Sequence, residues 1–354
     1  MLTKRIIHKI DLEKYEENLN YIRKITDAKI MVVVKANAYG HGMVKISKKS
    51  EELGIDFFGV AFLEEAEELR KNDIKSDILI LNYIAEENII KVSQSDYIIT
   101  LYSLEQLEKY NEILGKKLKN IKFHININTG MNRLGINIDE LEKLKKYNIN
   151  IEGAYSHFSN AGNDEEITEK QYQIFQKSVR KLKKMGFNIR IKHISNSAGV
   201  FQNKKYSLDY VRVGMALYGL QPLNYKLDLK PIMTIKTIVS NIRNIKKGEN
   251  IGYGKNISNK NVKISIIPIG YSDGYLMSLS KKGYVLIDGK KCNIVGEVCM
   301  EQIIVDISKL KNVSIGDEVV ILGQQKLAEI TPEILGKLAN TVPDDIVCKL
   351  GQKR

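Results

Sequence analysis

The sequence predicts a (β/α)8 barrel followed by a mostly antiparallel β domain. Two patterns carry this. Short apolar runs near 30–34, 57–61, 78–81, 97–100, 121–127, 151–154, 190–194 and 210–213 alternate with helical stretches rich in Glu, Lys and Leu, such as 63–70 and 104–114. Eight such runs in roughly 200 residues suit a closed barrel of right-handed β/α units better than an open sheet. Beyond about residue 225 the helical spacing stops. Runs rich in β-branched residues take over at 232–245, 262–269, 284–287, 303–307 and 319–322, separated by the turn signals Lys247-Gly248, Asp288-Gly289 and Gly316-Asp317. The chain therefore divides into a barrel, 11–225, and a C-terminal domain, 226–354, to which strand 1–10 is added.

Taken in order, 5–10 reads as a short strand, and Asp11 then caps a helix to about residue 25 with Leu12, Tyr15, Leu19 and Ile22 on one face. The run at 30–34 is that of a fully buried strand, ended by Lys35 and turned over by Asn37, Gly40 and Gly42. In the second domain Thr331-Pro332 is a helix start signal for 331–340. Residues 5–10 are free to pair with that domain, which would bring the two ends of the chain together. No Pro-, Gly- or Ser-rich linker separates the domains, so they are expected to pack on each other.

Composition narrows the function classes. With 354 residues, 43% hydrophobic and 27% charged, the chain can bury a large core without disulfides or metals. The excess of 55 Lys+Arg over 42 Asp+Glu gives +13, but the lysines are interleaved with glutamates on amphipathic stretches such as 140–146. That is a solvated surface and not a nucleic-acid motif, although the field favours anionic ligands such as phosphates. Cys292, Cys299 and Cys348 form no Cys-x-x-Cys pair, and the five histidines have no ligand spacing. There is no long apolar leader or 18-residue apolar run, so a cytoplasmic protein with no membrane anchor is expected.

In barrels of this kind the site lies at the carboxyl ends of the strands. Just past the apolar runs stand Lys35 with Tyr39 and His41, Asn126 with Arg133, His157, the segment 193–197, and Arg212 to Met215. A lysine at a strand end suits Schiff-base or proton-transfer chemistry, and equally a capping lysine that reaches solvent. The convergence of five such groups favours a site. Ser197 and Gly214 lie after the last two strands, where barrels commonly hold a phosphate; helix capping by Ser197 is the alternative. Gly-x-Gly-x-x-Gly, Walker and Gly-x-Ser-x-Gly motifs are absent, which weakens dinucleotide, ATP and hydrolase readings. Tyr253 and Tyr271 sit among glycines in the β domain, as turn tyrosines on a surface often do.

Val34-Lys35-Ala36-Asn37-Ala38-Tyr39-Gly40-His41-Gly42 resembles the pyridoxal phosphate signature of the alanine racemase family. The likeness continues in order through 128–135, 156–158, 193–199, 211–214, 252–254, 268–274 and 299–300. It implies a homodimer with shared sites, bound pyridoxal 5'-phosphate, a small amino-acid substrate, and D-alanine made for peptidoglycan. Lys35 would carry the cofactor and act as one base, and Tyr253 of a second copy would be the base on the opposite face. Tyr39, His157, Ser197, Arg212, Gly214 and Met215 would contact the cofactor, and Arg133, Tyr271, Met300 and Asp344 the substrate. Two bases make chemical sense, because inversion removes the α-proton from one face and returns one to the other. Free lysine and tyrosine titrate near pH 10, so burial and nearby cations must shift them.

Three positions depart from the family pattern. Asn126 stands where a carbamylated lysine is usual, leaving room for a chloride beside Arg133. Glu301 replaces an aspartate, and Pro343-Asp344-Asp345 replaces a Tyr-Glu step, so an aspartate stands at the rim in place of a ring. Substrate choice is thereby open to serine or basic amino acids as well as alanine. A decarboxylase of similar architecture would want an acid facing the pyridine nitrogen, and Arg212 argues against it. A non-catalytic cofactor-binding barrel would not need the β domain with Tyr253 and Tyr271.

Overall fold

The computed structural model describes residues 5–352, so any expectation for residues 1–4 and 353–354 lies outside it. Strand β1, Ile7–Ile10, leads into the helix Leu12–Ile25. Asp11 caps that helix by accepting from the backbone N–H groups of Glu13 and Lys14, both at 3.2 Å. Its apolar stripe of Tyr15, Leu19 and Ile22 is fully buried, as the 3.6-residue spacing requires.

The barrel strands are β2 (Lys29–Val33), β3 (Phe57–Val60), β4 (Asp77–Ile80), β5 (Ile98–Leu101), β6 (Lys122–Asn126), β7 (Asn150–Tyr155), β8 (Ile191–His193) and β9 (Tyr210–Val213). Each pairs in parallel with the next, and β2 pairs with β9 from Lys29↔Tyr210 to Val32↔Val213, which closes the barrel. Every one of the eight runs read from the sequence is a strand. Alternate residues face in and out: Met31, Phe57, Leu79, Ile98 and Tyr210 form one buried cluster, while Ile30 and Val32 join the larger core with the helices. A strand buried on both faces reads as a continuous apolar run, which is why these were legible.

The second domain contains β10 (Met233–Ile238), β11 (Asn241–Ile245), β12 (Val262–Ile267), β13 (Tyr284–Ile287), β14 (Lys290–Asn293), β15 (Ile303–Asp306), β16 (Glu318–Gln325) and β17 (Ala328–Ile330). One antiparallel sheet runs β1-β10-β16-β13-β14 with β17 on β16, and another runs β11-β12-β15. β1 pairs with β10 from Ile7↔Lys236 to Ile10↔Met233, so this strand near the N-terminus lies at the edge of the β10 sheet. Arg5 fastens it further with a two-pronged ion pair to Asp273, at 2.6 and 2.9 Å. β14 escapes the sequence pattern because it is short and mostly polar, with Cys292 its buried residue, and β17 because it is only three residues long.

The helix Pro332–Ala339 starts where Thr331-Pro332 signals, with the Thr331 hydroxyl accepting from Ile334 N–H at 3.3 Å. A second helix, Pro343–Leu350, was not read from the sequence. It packs directly on the turn after Lys35: a Cβ on Gly40 would lie 2.4 Å from the Val347 carbonyl oxygen, and Gly40 has φ +80°. Gly40→Ala therefore meets both a backbone clash and a left-handed φ. It should lower unfolding free energy by about 3 kcal/mol, read from urea denaturation curves. Among the described residues no helix is long and apolar enough to cross a membrane.

Candidate active site

The chain after β2 does something its residues alone would not choose. Ala36, Asn37, Ala38 and Tyr39 all have φ of 53–54°, one turn of left-handed helix built without glycine. Each such residue costs about 1–2 kcal/mol, so the surroundings must hold the turn. Glu65 accepts from Ala36 N–H at 2.6 Å with one oxygen and from Ala61 N–H at 2.6 Å with the other. Asn37 Oδ1 accepts from Met43 N–H at 2.8 Å. His41 is hydrogen-bonded to the Ala38 carbonyl at 2.9 Å and stacks on Tyr218, whose hydroxyl donates to Val33 O at 2.7 Å. The result is a rigid platform that presents Lys35 and Tyr39 to the mouth of the barrel.

There Lys35 and Tyr39 meet Asn126, Arg133, Tyr155, His157, Ser197, Arg212, Gly214, Met215 and Asp344 around a cavity of ≈ 310 Å³. Its position at the carboxyl ends of the strands is the one the fold prescribes. Lys35 is half-buried, and its pKa is lowered by desolvation first and then by the Arg133 charge, with Arg212 adding to this. The neutral amine, the form that can act as nucleophile or base, is thus available at lower pH than in a free lysine.

Arg212 lies at the floor, only 4% exposed. It donates to His193 Nδ1 at 2.7 Å, to Ser156 O at 2.6 Å and to His157 Nδ1 at 3.1 Å, and its guanidinium lies 5.0 Å from the centre of the Tyr155 ring. A guanidinium has no acceptor, so both imidazoles must present a lone pair at Nδ1 and keep their proton on Nε2. His193 can then donate from Nε2 to His124 Nδ1, at 2.9 Å. Burial and the Arg212 charge push His157 and His124 down to about 3. The floor is therefore one buried cation on neutral partners, and Arg212 itself is pulled down only to about 10 by desolvation.

Ser197 Oγ accepts from Gly214 N–H and Ala216 N–H, both at 3.4 Å. The helix after it, Ser197–Gln202, is capped by Asn196 and not by Ser197, which leaves that hydroxyl on the cavity wall. A Cβ on Gly214 would stand 2.8 Å from Tyr39 Oη, so the missing side chain keeps this corner open. On the opposite side Asp344 projects from the first turn of Pro343–Leu350. Its Oδ1 is buried without a hydrogen-bond partner. Desolvation raises its pKa to about 6, against the opposing pull of Lys35.

That raised value has a consequence for stability. Below about pH 4 the acid is neutral in both folded and unfolded chains, and nothing is lost. As pH rises through about 6 the folded chain must bear an ill-solvated carboxylate, and stability falls. In cofactor-free protein, Asp344→Asn should therefore gain about 1–2 kcal/mol over the native chain between pH 4 and pH 7.5, the full shift being discounted for partial exposure. Urea unfolding at the two pH values measures it; a difference that does not change with pH would contradict the assignment.

Residues 10–222 match the family described as alanine racemase, N-terminal domain, and 232–354 the alanine racemase C-terminal domain. The chain belongs to the alanine racemase family. An alanine racemase of Methanococcus maripaludis is 37% identical over 367 residues, spanning 100% of this chain and 98% of its own. The solved alanine racemase of Clostridium difficile superposes with a TM-score of 0.90 at 34% identity, over 99% of this chain and 94% of that one. That of Bartonella henselae, described with covalently bound pyridoxal phosphate, has a TM-score of 0.90 at 30% identity, over 99% and 98% of the two chains.

Of the residues that the likeness to alanine racemases singled out, Lys35, Tyr39, Arg133, His157, Ser197, Arg212, Gly214, Met215 and Asp344 share the one cavity. Tyr253, Tyr271 and Met300 do not line it; they lie on the β domain with 71%, 41% and 55% exposure. Tyr155 and Glu65 were missed. Tyr155 ends a strand run two residues before His157, and that position was the available signal. Glu65 sits in the first turn of a helix among other glutamates, and nothing local marks its bond back to the Lys35 turn, which spans 29 residues.

Proposed function

We propose that this alanine racemase family member interconverts L- and D-alanine with pyridoxal 5'-phosphate held in the Lys35 cavity. The observation that carries the reading is the half-buried Lys35, of lowered pKa, at the mouth of a barrel whose floor is the buried Arg212. The donor set fits an anionic planar ring bearing an aldehyde: a lysine to bond it, hydroxyls of Tyr39 and Ser197 and an open corner at Gly214 for its phosphate, and a guanidinium with neutral partners for its ring. Met215 and His157 complete that lining. When bound, the cofactor supplies an electron sink for the charge left at Cα as its proton departs.

The chain's own residues supply the proton traffic. Lys35, once free of the cofactor, takes or returns the α-proton on one face through Nζ. The hydroxyl of Tyr253 does so on the other face, delivered by a second copy, since it stands far out on the β domain of its own chain. Tyr271 and Met300 of that copy, with Arg133 of this one, position the substrate carboxylate. A chloride beside Asn126 would balance Arg133, and the product D-alanine would serve peptidoglycan. The test is α-proton exchange of L-alanine in deuterated water, followed by proton NMR with chiral analysis. Exchange with formation of both enantiomers is expected, and its absence in cofactor-loaded protein would overturn the reading.

A further inference from the structure

The ladder between β2 and β3 ends on a side chain. Val34 N–H donates to Gly59 O at 2.9 Å. Beyond that point the Val60 and Ala61 carbonyls serve the other neighbour, accepting from Leu81 N–H at 2.9 Å and Asn82 N–H at 3.0 Å. Ala36 N–H and Ala61 N–H, one from each strand end, both turn to Glu65. One carboxylate oxygen accepts from Ala36 at 2.6 Å, and the other from Ala61 at 2.6 Å and Phe62 at 3.3 Å. The carboxylate stands on a fixed base, since Leu63, Ala66 and Leu69 of its helix, Leu63–Lys71, are buried. Ala36 follows Lys35 directly and is the first of the four residues with left-handed φ. Within the turn, Ala38 N–H bonds to Val34 O at 2.7 Å and Gly40 N–H to Ala36 O at 3.0 Å. The bond from Glu65 ties the start of that strained turn to the neighbouring strand.

We propose that Glu65 is a positioning residue for the reaction: by bonding the first N–H of the turn to the end of β3, it holds Lys35 where its amine meets the substrate's α-carbon. The inference rests on the racemase reading above and adds a residue to its machinery. Glu65 is not among the residues that line the cavity, so it acts through Ala36 and touches no substrate. A reacting group displaced by about 1 Å can lose about 100-fold in rate. The stereochemistry is demanding, because donors from two strand ends need two acceptors. A carboxamide offers one oxygen, and its NH2 would face an N–H. An aspartate draws its carboxylate back by one methylene and cannot span both.

The experiment compares Glu65→Ala and Glu65→Gln with the native chain. In cofactor-loaded protein, kcat for alanine racemisation should fall by about 10- to 100-fold in each, with KM within about threefold. Amide hydrogen exchange of cofactor-free protein, followed by mass spectrometry, gives a readout without turnover. The peptide spanning 35–42 should exchange at least about tenfold faster in Glu65→Ala, and the helix 12–25 at its native rate. Rescue separates positioning from general damage. Ala36→Gly in the Glu65→Ala background should recover about three- to tenfold in kcat, because glycine takes a left-handed φ without a Cβ penalty; in the native background it should bring no gain. Native loaded protein that exchanges no α-proton of alanine would sink the racemase reading itself. With that activity present, kcat in Glu65→Ala within threefold of native, or no recovery from Ala36→Gly, would overturn only this inference. So would an equal rise in exchange of both peptides. Should Glu65→Ala not fold, Glu65→Gln is read against the same limits, with Ala36→Gly added to it.

Discussion

Lys35→Ala is expected to lower kcat/KM for alanine racemisation by at least about 10,000-fold, because the proposed mechanism has one residue both carry the cofactor and move a proton. The cavity offers no substitute. Its other basic groups are Arg133, Arg212 and His157: a guanidinium does not give up its proton at working pH, and burial beside Arg212 pushes the His157 imidazole down to about 3, too weak a base to replace an amine. Lys35→Arg should be nearly as inactive for the same reason, although it keeps the charge and much of the length. A second readout separates chemistry from folding. Borohydride treatment of the loaded native protein should leave the cofactor's mass on the peptide containing Lys35, and that mass should be absent in Lys35→Ala with an unchanged thermal midpoint. Turnover by Lys35→Ala within tenfold of the native rate would refute the role. The lowered pKa of Lys35 adds a signed expectation for the cofactor-free protein. The pH dependence of Lys35 acylation, followed by peptide mass spectrometry, should have its midpoint below the pH near 10 of a free lysine.

The second large effect concerns Tyr253. Tyr253→Phe alone should lower kcat/KM by about 100- to 10,000-fold, the usual worth of a positioned proton donor or acceptor. Its 71% exposure in its own chain makes a sharper test possible. If each site takes Lys35 from one copy and Tyr253 from the other, a mixture of the two dead variants contains intact sites. Random re-pairing of equal amounts makes half the dimers mixed, each with one complete site of two, so about a quarter of native activity should return. A site closed within one chain would give no recovery. The expected outcome is recovery on mixing after mild dissociation, with sedimentation showing dimers before and after.

How much of this was legible in the sequence depends on how local each cause is. Most barrel strands could be read because they are buried on both faces and therefore mainly apolar, as β3 and β5 are throughout; β14, largely polar, and β17, only three residues long, could not. Asp11 and Thr331 announced helices because capping is decided within three or four residues. Lys35 could be placed at a strand end for the same reason. The helix Pro343–Leu350 was overlooked because Pro343-Asp344-Asp345 was weighed as a rim feature and not as the first turn of a helix.

The sequence by itself determined the barrel, the added β domain, the family, and the strand ends on which the chemistry sits. All of these follow from residue type and short-range spacing. Tertiary structure alone decided that Ala36 to Tyr39 adopt a left-handed turn, since no glycine asks for it and Glu65, 29 residues from Ala36, holds it. It alone set the tautomers of His157 and His193 through Arg212, the lowered pKa of Lys35, and the unpaired oxygen of Asp344. Those properties depend on desolvation and on charges brought together from distant parts of the chain. Neither exists until the fold has closed around them.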